Sequence, residues 1–270
     1  MAGFDWITFL SDYGLDDNFV GVCHGVIART APAVRVIDVT HTIEPQDVRQ
    51  GAHVLAQSIP FLPAAVHLAV VDPSVGTRRR SIVLEAGDGL LVGPDNGLLL
   101  WAADALGGVK RAVELTNPAY RLPRVSHTFH GRDIFAPAAA HLASGVDLAE
   151  LGEAVDPATL ERLPASESVV ENGRIRGEVV LVDHFDNLQL NIHGEQLERI
   201  GVRLGDRVDV RTAGRRHRMP YAETFAAVPV GRTVLCEDSF GLLAVSVNQG
   251  RAAELMGANA GDEVIVGPAS

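Results

Sequence analysis

Residues 66–85 read VHLAVVDPSVGTRRRSIVLE, in which an acidic turn with proline and glycine separates two apolar runs. The first run, Val66–Val71, is almost wholly apolar, which is typical of a strand buried on both faces of its sheet. The second run, Ser81–Glu85, has the β-branched content of a further strand. We therefore predict two strands here, the first of them in the interior of a sheet.

The rest of the N-terminal half alternates strand-like and helix-like patterns. The predicted strands are Ile7–Leu10 and Val34–Val39, and the predicted helices are Asp17–Arg29, Asp47–Ile59 and Ile134–Ala143. Asp17 and Asp47 stand at helix starts, where a carboxylate complements free backbone N–H groups. Alternation of this kind predicts an α/β domain with a largely parallel sheet covered by helices.

The pattern changes in the C-terminal half. Gly152–Gly173 is rich in Pro, Ser, Glu and Ala, so we interpret it as a linker. Beyond it, short alternating segments are separated by turn residues, and these segments are Gly177–Val182, Arg207–Arg211, Thr233–Cys236, Leu242–Val247 and Glu263–Val266. They predict a small antiparallel sheet or barrel. The predicted domains are an α/β domain at residues 1–165 and a smaller, β-barrel-like domain at 174–270.

Composition limits the classes of function. The chain of 270 residues has a net charge of −11, which opposes binding to the phosphate backbone of nucleic acids. No apolar run approaches the ~20 residues of a transmembrane helix, and the first residues lack the features of a secretory signal. Cys23 and Cys236 lie far apart, as is usual in a reducing compartment. We expect a soluble cytoplasmic protein that binds neither nucleic acid nor membranes.

Several common chemical motifs are missing from the sequence. It contains no G-x-G-x-x-G fingerprint, no H-E-x-x-H and no Cys/His spacing of a zinc site. Lys110 is the only lysine and precedes Arg111, so a phosphate-binding G-x-x-x-x-G-K-[ST] loop is absent too. The nearest match to a G-x-S-x-G nucleophile elbow is DPSVG at 72–76, which lacks the first glycine. We expect an enzyme without metal or cofactor.

Polar residues are concentrated after three strand-like segments, at 11–18, 72–77 and 93–97. Each of these segments alone is also typical of a plain turn, since Asp, Asn, Pro and Gly are ordinary turn formers. Ligands of open α/β sheets bind in the crevice outside the carboxyl ends of the strands. Three acidic segments at such ends together indicate a binding crevice.

Several longer segments are more distinctive than these single turns. They are SDYG at 11–14, DPSVGTRRR at 72–80, GPDNGLL at 93–99, TFHGRDIFAPAAAHL at 128–142, VDHFDNLQLNI at 182–192, TF at 224–225 and EDSFG at 237–241. In this order they resemble the SAM hydroxide adenosyltransferase family, relatives of the fluorinases and chlorinases that attack S-adenosyl-L-methionine (SAM) with halide. The resemblance covers about residues 6–268.

The resemblance implies an activity, an assembly and a site. The activity is hydrolysis of SAM to adenosine and L-methionine, by a homotrimer that binds SAM between neighbouring subunits. The family's Asp-Arg-His triad, which works without a metal, falls on Asp72, Arg79 and His130. The implied substrate-binding residues are Asp12 at the ribose hydroxyls, Phe225 and Asn187 at adenine, Asp183 at the methionine ammonium, and Asp16, Asn18 and Ser239 around the amino-acid end.

These residue types suit the reaction. A carboxylate can accept hydrogen bonds from both ribose hydroxyls. The sulfonium leaves as a neutral thioether and needs no proton, so catalysis consists of placing and activating a water molecule in line with the 5′ carbon. Asp72 and His130 can each accept a proton and Arg79 can stabilise negative charge. The sequence leaves open which member of the triad is the base.

The chain departs from the family pattern at two positions. Ser74 stands where the family usually has glycine, and Phe240 stands where fluorinases have an arginine for the methionine carboxylate. The alternatives are a SAM-dependent halogenase, a protein that binds SAM or adenosine without cleaving it, and a metal-dependent nucleoside hydrolase. The carboxylate of Asp72 opposes halide, and the missing ligand spacing opposes the metal enzyme.

Overall fold

A computed structural model describes residues 3–164 and 167–269 of the chain. The chain divides between Leu163 and Pro164 into two compact units, which we call the N-terminal and the C-terminal unit. Residues 1, 2, 165, 166 and 270, which fall within the predicted domains and linker, lie outside the described residues. The predicted domain limits at 165 and 174 stay predictions.

The N-terminal unit is built on a seven-stranded sheet. Its strands are β1 (Trp6–Ser11), β2 (Arg35–Thr40), β3 (Val66–Val70), β4 (Ser81–Ala86), β5 (Gly89–Pro94), β6 (Val109–Glu114) and β7 (Glu153–Val155). The helices are α1 (Phe19–Thr30), α2 (Val48–Ser58), α3 (Leu100–Ala105) and α4 (Ala136–Ala143). The spatial order is β2-β1-β3-β5-β4-β6-β7, parallel from β2 to β5 and antiparallel beyond it. The predicted fold class is confirmed, since the sheet is parallel at its core.

Side chains that alternate along the central strands build two cores. Ile7 and Phe9 of β1 belong to the core that contains α1 and α4, whereas Leu10 belongs to the core that contains α2 and α3. All five residues of β3 are buried, as its apolar run predicts. The sheet is therefore covered on both faces, and its strand ends are the places where polar loops emerge.

The helix starts differ from the predictions in part. α1 begins at Phe19, and its N-cap residue Asn18 makes no side-chain hydrogen bond, so the prediction that Asp17 begins or caps this helix was wrong. Asp47 does cap α2, because its side chain accepts a hydrogen bond from the backbone N–H of Gln50 at 2.9 Å.

Two further predictions of regular structure need correction. α4 begins two residues later than predicted because Gly131–Phe135 forms a π-helical turn. Single π-helical turns of this kind are frequent at functional sites. The region Gly152–Gly173 is not simply a linker: β7 pairs with β6 at the sheet edge, and Val169–Glu171 forms a further strand, β8.

The C-terminal unit is an antiparallel, nearly closed sheet, as predicted. Its strands after β8 are β9 (Arg174–Val182), β10 (Leu188–His193), β11 (Arg207–Thr212), β12 (Arg215–Pro220), β13 (Thr233–Glu237), β14 (Leu242–Val247) and β15 (Glu263–Pro268), with the helices α5 (Gly194–Arg199) and α6 (Ala252–Met256). The spatial order is β12-β11-β15-β9-β10-β14-β13, and β8 pairs with β9. A bridge between Tyr221 and Leu235 brings the two end strands together.

Among the described residues, no helix combines the length and the apolar character that crossing a membrane requires.

Candidate active site

The candidate site lies at one edge of the N-terminal sheet. β1, β3 and β5 are parallel neighbours, so their carboxyl ends at Ser11, Val70 and Pro94 share that edge. β4 runs back against β5 with Ser81 opposite Pro94, which brings the arginines before Ser81 to the same edge. The π-helical turn leads into α4, which packs on β1 and β3 and so positions His130 at this edge.

Asp72, Arg79 and His130 contact one another. Nε of Arg79 donates to Oδ1 and Oδ2 of Asp72 at 3.0 and 3.1 Å, and Nη2 donates to Oδ2 as well. Nη2 of Arg79 also lies 3.1 Å from Nδ1 of His130. The side chains of Arg79 and Asp72 are only 7% and 5% exposed. The fold therefore brings together the three residues that were predicted to be catalytic, and their roles stay predictions.

The contact with Arg79 determines where neutral His130 carries its proton. A guanidinium group has only donors, so Nδ1 must accept the hydrogen bond and the ring proton is on Nε2. Burial lowers the pKa of His130, and the charge of Arg79 lowers this pKa further. At neutral pH the ring is uncharged and presents an N–H donor at Nε2.

Arg79 and Asp72 are held in place by the loop between them. Nη1 of Arg79 donates to Oγ of Ser81 at 2.7 Å, and the hydroxyl of Ser74 donates to Oδ1 of Asp72 at 3.3 Å. The glycine-like conformation in this loop belongs to Gly76, with φ of 79°, and Ser74 is not among the residues with positive φ. Serine at position 74 therefore brings no backbone strain, and its hydroxyl supports the carboxylate.

Tyr13 occupies the space beside Gly131, directly after His130. A β-carbon on Gly131 would lie 1.9 Å from Oη of Tyr13, so a larger residue fits there only if the ring of Tyr13 moves. The ring of Tyr13 packs edge-on against Phe9 and Phe129. Burial raises the pKa of Tyr13 well above its usual value and keeps the hydroxyl protonated. Tyr13 belongs to the SDYG segment, but its role could not be predicted from the sequence because its contact with Gly131 joins distant parts of the chain.

Arg121 was also missed by sequence reasoning. Its Nε is buried and has no hydrogen-bond partner among the described residues. Burial lowers the pKa of Arg121, and its charge adds to the lowering of the His130 pKa. No motif pointed to this second cation near the triad.

The loop after β1 carries three of the predicted substrate-binding residues. Oδ2 of Asp12 accepts a hydrogen bond from the backbone N–H of Gln46 at 2.9 Å. Asp16 and Asn18 are exposed, farther along the same loop. The fold places all three at the sheet edge that carries the triad, while their roles toward a substrate stay predictions.

The acidic segment after β5 has a structural explanation. Oδ2 of Asp95 accepts from Nε of Arg80 at 2.7 Å, and its Oδ1 accepts from the backbone N–H of Glu161 at 3.0 Å. Nδ2 of Asn96 donates to the backbone carbonyl of Val71 at 2.9 Å. These side chains join neighbouring loops, so a structural turn explains this segment best.

The C-terminal unit carries the remaining predicted residues in separate loops. Asp183 and Asn187 lie between β9 and β10 and contact each other, with Nδ2 of Asn187 donating to Oδ2 of Asp183 at 2.8 Å. Phe225 lies in a short 3-10 turn between β12 and β13 and is 48% exposed. Ser239 lies between β13 and β14 and follows Asp238, whose side chain accepts a hydrogen bond from Nε2 of Gln189, two residues beyond Asn187. This unit thus brings Asp183 and Asn187 into contact and brings the loop that carries Ser239 near the start of β10.

Comparisons with known proteins relate the whole chain to one family. Residues 7–152 match the family model for the SAM hydroxide adenosyltransferase N-terminal domain, and residues 177–265 match that for the C-terminal domain. The chain is 56% identical to an "(R)-S-adenosyl-L-methionine hydrolase" of Salinispora arenicola, over 98% of this chain and 99% of that protein. It is 30% identical to a "Fluorinase" of Actinoplanes sp., over 90% of each chain. A solved structure of a conserved protein from Thermotoga maritima superposes with a TM-score of 0.91 at 39% identity, over 97% of this chain and 99% of that one.

Proposed function

The chain belongs to the SAM hydroxide adenosyltransferase family, and from this we propose that it hydrolyses (R)-S-adenosyl-L-methionine to adenosine and L-methionine. The observation that carries the proposal is the buried contact of Asp72, Arg79 and His130 at the carboxyl edge of the sheet. The higher identity to hydrolases than to a fluorinase supports water over halide as the nucleophile.

The reaction is an in-line displacement at the 5′ carbon. An oxygen of water forms the new bond to carbon, the carbon–sulfur bond breaks, and its electron pair remains on the thioether sulfur of methionine. One proton of the water is released. The protein therefore has to hold the water opposite the sulfur and receive that proton.

The hydrogen bonds within the triad suggest separate roles for its members. Neutral His130 presents its Nε2–H, so it orients the water by donating to the oxygen. Asp72 is the triad member with carboxylate lone pairs, so it accepts the proton. Arg79 fixes both partners and offsets the negative charge of Asp72. Because Arg79 offsets this charge, Asp72 by itself repels a halide ion less than an unpaired carboxylate would.

The remaining parts of the proposal concern assembly and location. We place Asp12, Asp16 and Asn18 of one subunit, with Asp183, Asn187, Phe225 and Ser239 of a neighbour, around SAM in a homotrimer. The exposed ring of Phe225 supports this, since an aromatic face that binds adenine must be open in the free chain. The unpaired, buried Cys23 and Cys236 fit a cytoplasmic location.

Product analysis tests the proposal. Chelator-treated protein is incubated with SAM of both sulfonium configurations, in the presence of chloride, and the products are identified by mass spectrometry. We expect adenosine and methionine, with consumption of the (R) epimer alone. A 5′-halo nucleoside would show a halogenase, and unchanged SAM with measurable binding would show a non-catalytic SAM-binding protein.

A further inference from the structure

Two histidines and an aspartate form a cluster beside β2, outside the triad. His24 lies on α1, Asp38 lies in β2, and His41 follows β2 directly. Each offers one potential ligand atom, and these atoms all lie within 4.8 Å of one another. Nε2 of His24 and Nε2 of His41 lie 2.8 and 3.0 Å from the same oxygen, Oδ1 of Asp38. The three residues come from different elements, so no contiguous motif indicated them.

His41 has the environment of a metal ligand. Its side chain is 2% exposed, and Nδ1 lies 2.8 Å from Oγ of Ser11. Nε2 of His41 lies 3.0 Å from Oδ1 of Asp38, but among the described residues it makes no contact with hydrogen-bond geometry. Histidine ligands characteristically use one ring nitrogen for the metal and the other for a hydrogen bond that fixes the tautomer. In the tautomer in which Nδ1–H donates to Ser11, the lone pair of Nε2 lies beside a carboxylate oxygen, and a cation would satisfy both atoms.

The rings are fixed before any cation binds. Phe9 packs against both imidazoles, with centroid distances of 6.1 Å to His24 and 4.6 Å to His41. Phe9 itself is fully buried in the core of the unit. The ring of His41 therefore cannot swing far from Asp38 without disturbing that core, and the ring of His24 is held by its contact with Asp38.

We propose that His24, Asp38 and His41 bind a divalent transition-metal cation such as Zn²⁺. Imidazole nitrogen with one carboxylate oxygen is a common ligand set for zinc. Metal–nitrogen bonds of ~2.0–2.1 Å in a tetrahedral site place ligand atoms about 3.3 Å apart, so the two histidine–aspartate separations need to open by a few tenths of an ångström. The side chains of His24 and Asp38 are 34% and 44% exposed, which leaves the remaining coordination position open to water.

The cluster lies beside the loop after β1, which carries Asp12. The backbone N–H of Gly14 donates to the carbonyl oxygen of His41 at 2.7 Å, and Ser11 holds the ring of His41. A cation that holds His41 in place would therefore also hold Ser11 and Gly14, which lie before and after Asp12 in the chain. We expect binding to raise the melting temperature of the protein, because the cation binds the folded cluster and not the unfolded chain.

Cobalt titration of the full-length, chelator-treated protein without a histidine tag tests this proposal. Co²⁺ is used because its visible absorption reports nitrogen and oxygen ligation directly, and equilibrium dialysis gives the stoichiometry. We expect one tightly bound Co²⁺ per chain, displaced by Zn²⁺. His24→Gln and Asp38→Asn should each lower the affinity by about tenfold or more. His141→Gln, at another partly buried histidine of the same unit, should bind cobalt like the parent.

The outcomes separate the proposal from its alternatives. Absence of cobalt absorption in the parent protein, or equal cobalt affinity in the parent and in both ligand variants, would overturn it. Circular dichroism verifies the fold of each variant. Asp38→Asn keeps the size of the side chain and carries the test if His24→Gln does not fold.

Discussion

The buried pair of Asp72 and Arg79 makes the charges of the triad interdependent. Arg79 donates to Asp72 and to His130 through the same guanidinium group, so removing any one of the three changes the hydrogen bonds of the other two. A buried charge that loses its partner is strongly unfavourable. Substitutions that keep size and hydrogen-bonding capacity are therefore more informative here than alanine.

The first prediction concerns turnover in triad variants. Asp72→Asn removes the proton acceptor and should lower kcat by about 10²–10⁴-fold. His130→Gln keeps a donor and should lose less activity than Asp72→Asn. SAM affinity, measured by calorimetry, should change little in either variant, because both residues act on the water. The double variant should lose much less than the product of the single losses, since both residues act on the same water.

A neighbouring ion pair provides the control. Asp95→Asn breaks the contact of Asp95 with Arg80 at the same sheet edge, so it should lower stability while the folded protein keeps its turnover. Parent-level kcat in both triad variants would contradict the assignment.

The second prediction concerns the fit of Tyr13 against Gly131. Gly131→Ala should abolish most activity, because its β-carbon would overlap Oη of Tyr13 and displace the turn that carries His130. Tyr13→Phe removes that oxygen and leaves the nearest ring carbon at 3.0 Å from the added β-carbon. The Tyr13→Phe/Gly131→Ala double variant should therefore recover part of the activity that Gly131→Ala loses. Equal kcat/KM in the double variant and in Gly131→Ala would show that this contact does not position His130.

The predicted triad came from the resemblance of its segments to a family, because residue type alone did not single out these three side chains. Asp72, Arg79 and His130 lie in long, distinctive segments, and the fold brings them into contact. Tyr13 and Arg121 escaped notice because their importance comes from where they are buried. Burial and contact depend on the tertiary structure and are not visible in a local pattern.

Neighbouring strands β1 and β3 are joined by a buried polar contact that makes stability depend on pH. Nδ1 of His67 lies 2.9 Å from Oγ1 of Thr8, and His67 is 2% exposed. Burial lowers the pKa of His67 from 6.5 to about 4. Between these two pH values the unfolded chain binds more protons than the folded chain does, so the stability present above pH 6.5 is lost as the pH falls toward 4.

The third prediction follows from that difference. His67 should account for a loss of up to about 3 kcal/mol in the free energy of unfolding across this pH range. His67→Asn should be less stable at neutral pH but should lose less on acidification, as measured by urea unfolding at several pH values. His184→Gln, at an exposed histidine, should keep the pH dependence of the parent. If the free energy of unfolding of His67→Asn fell equally steeply on acidification, His67 would be excluded as a source of the pH dependence.

Strands with a nearly continuous apolar run were predicted with their limits, whereas a strand that mixes apolar and turn-forming residues was not. β3 and β14 were predicted within one residue of their observed limits because their apolar content is nearly continuous. A strand was expected before residue 93 but without limits, because Gly89, Gly93 and Pro94 are typical of turns, and all six residues of the observed β5 are buried. Tertiary burial between two strands outweighed the local propensity there.

The fourth prediction concerns the whole molecule and the sharing of sites between subunits. Asp12 and Asp183 belong to different units of the chain. If neighbouring subunits supply them to one site, Asp12→Ala and Asp183→Ala homotrimers should each bind SAM weakly. Mixed trimers formed by subunit exchange should regain activity, because some of their sites contain both aspartates. No recovery after exchange has been verified by mass spectrometry would contradict shared sites.

The most direct measurement for hydrolysis follows the oxygen atom. The protein is incubated with SAM and chloride in water enriched in heavy oxygen, and the nucleoside product is analysed by mass spectrometry. Direct attack of water at the 5′ carbon predicts adenosine that carries the heavy label at its 5′ oxygen, formed at a rate that Asp72→Asn reduces by about 10²-fold or more. Unlabelled adenosine, a 5′-chloro nucleoside, or labelled adenosine formed equally fast by Asp72→Asn would contradict water attack assisted by the triad.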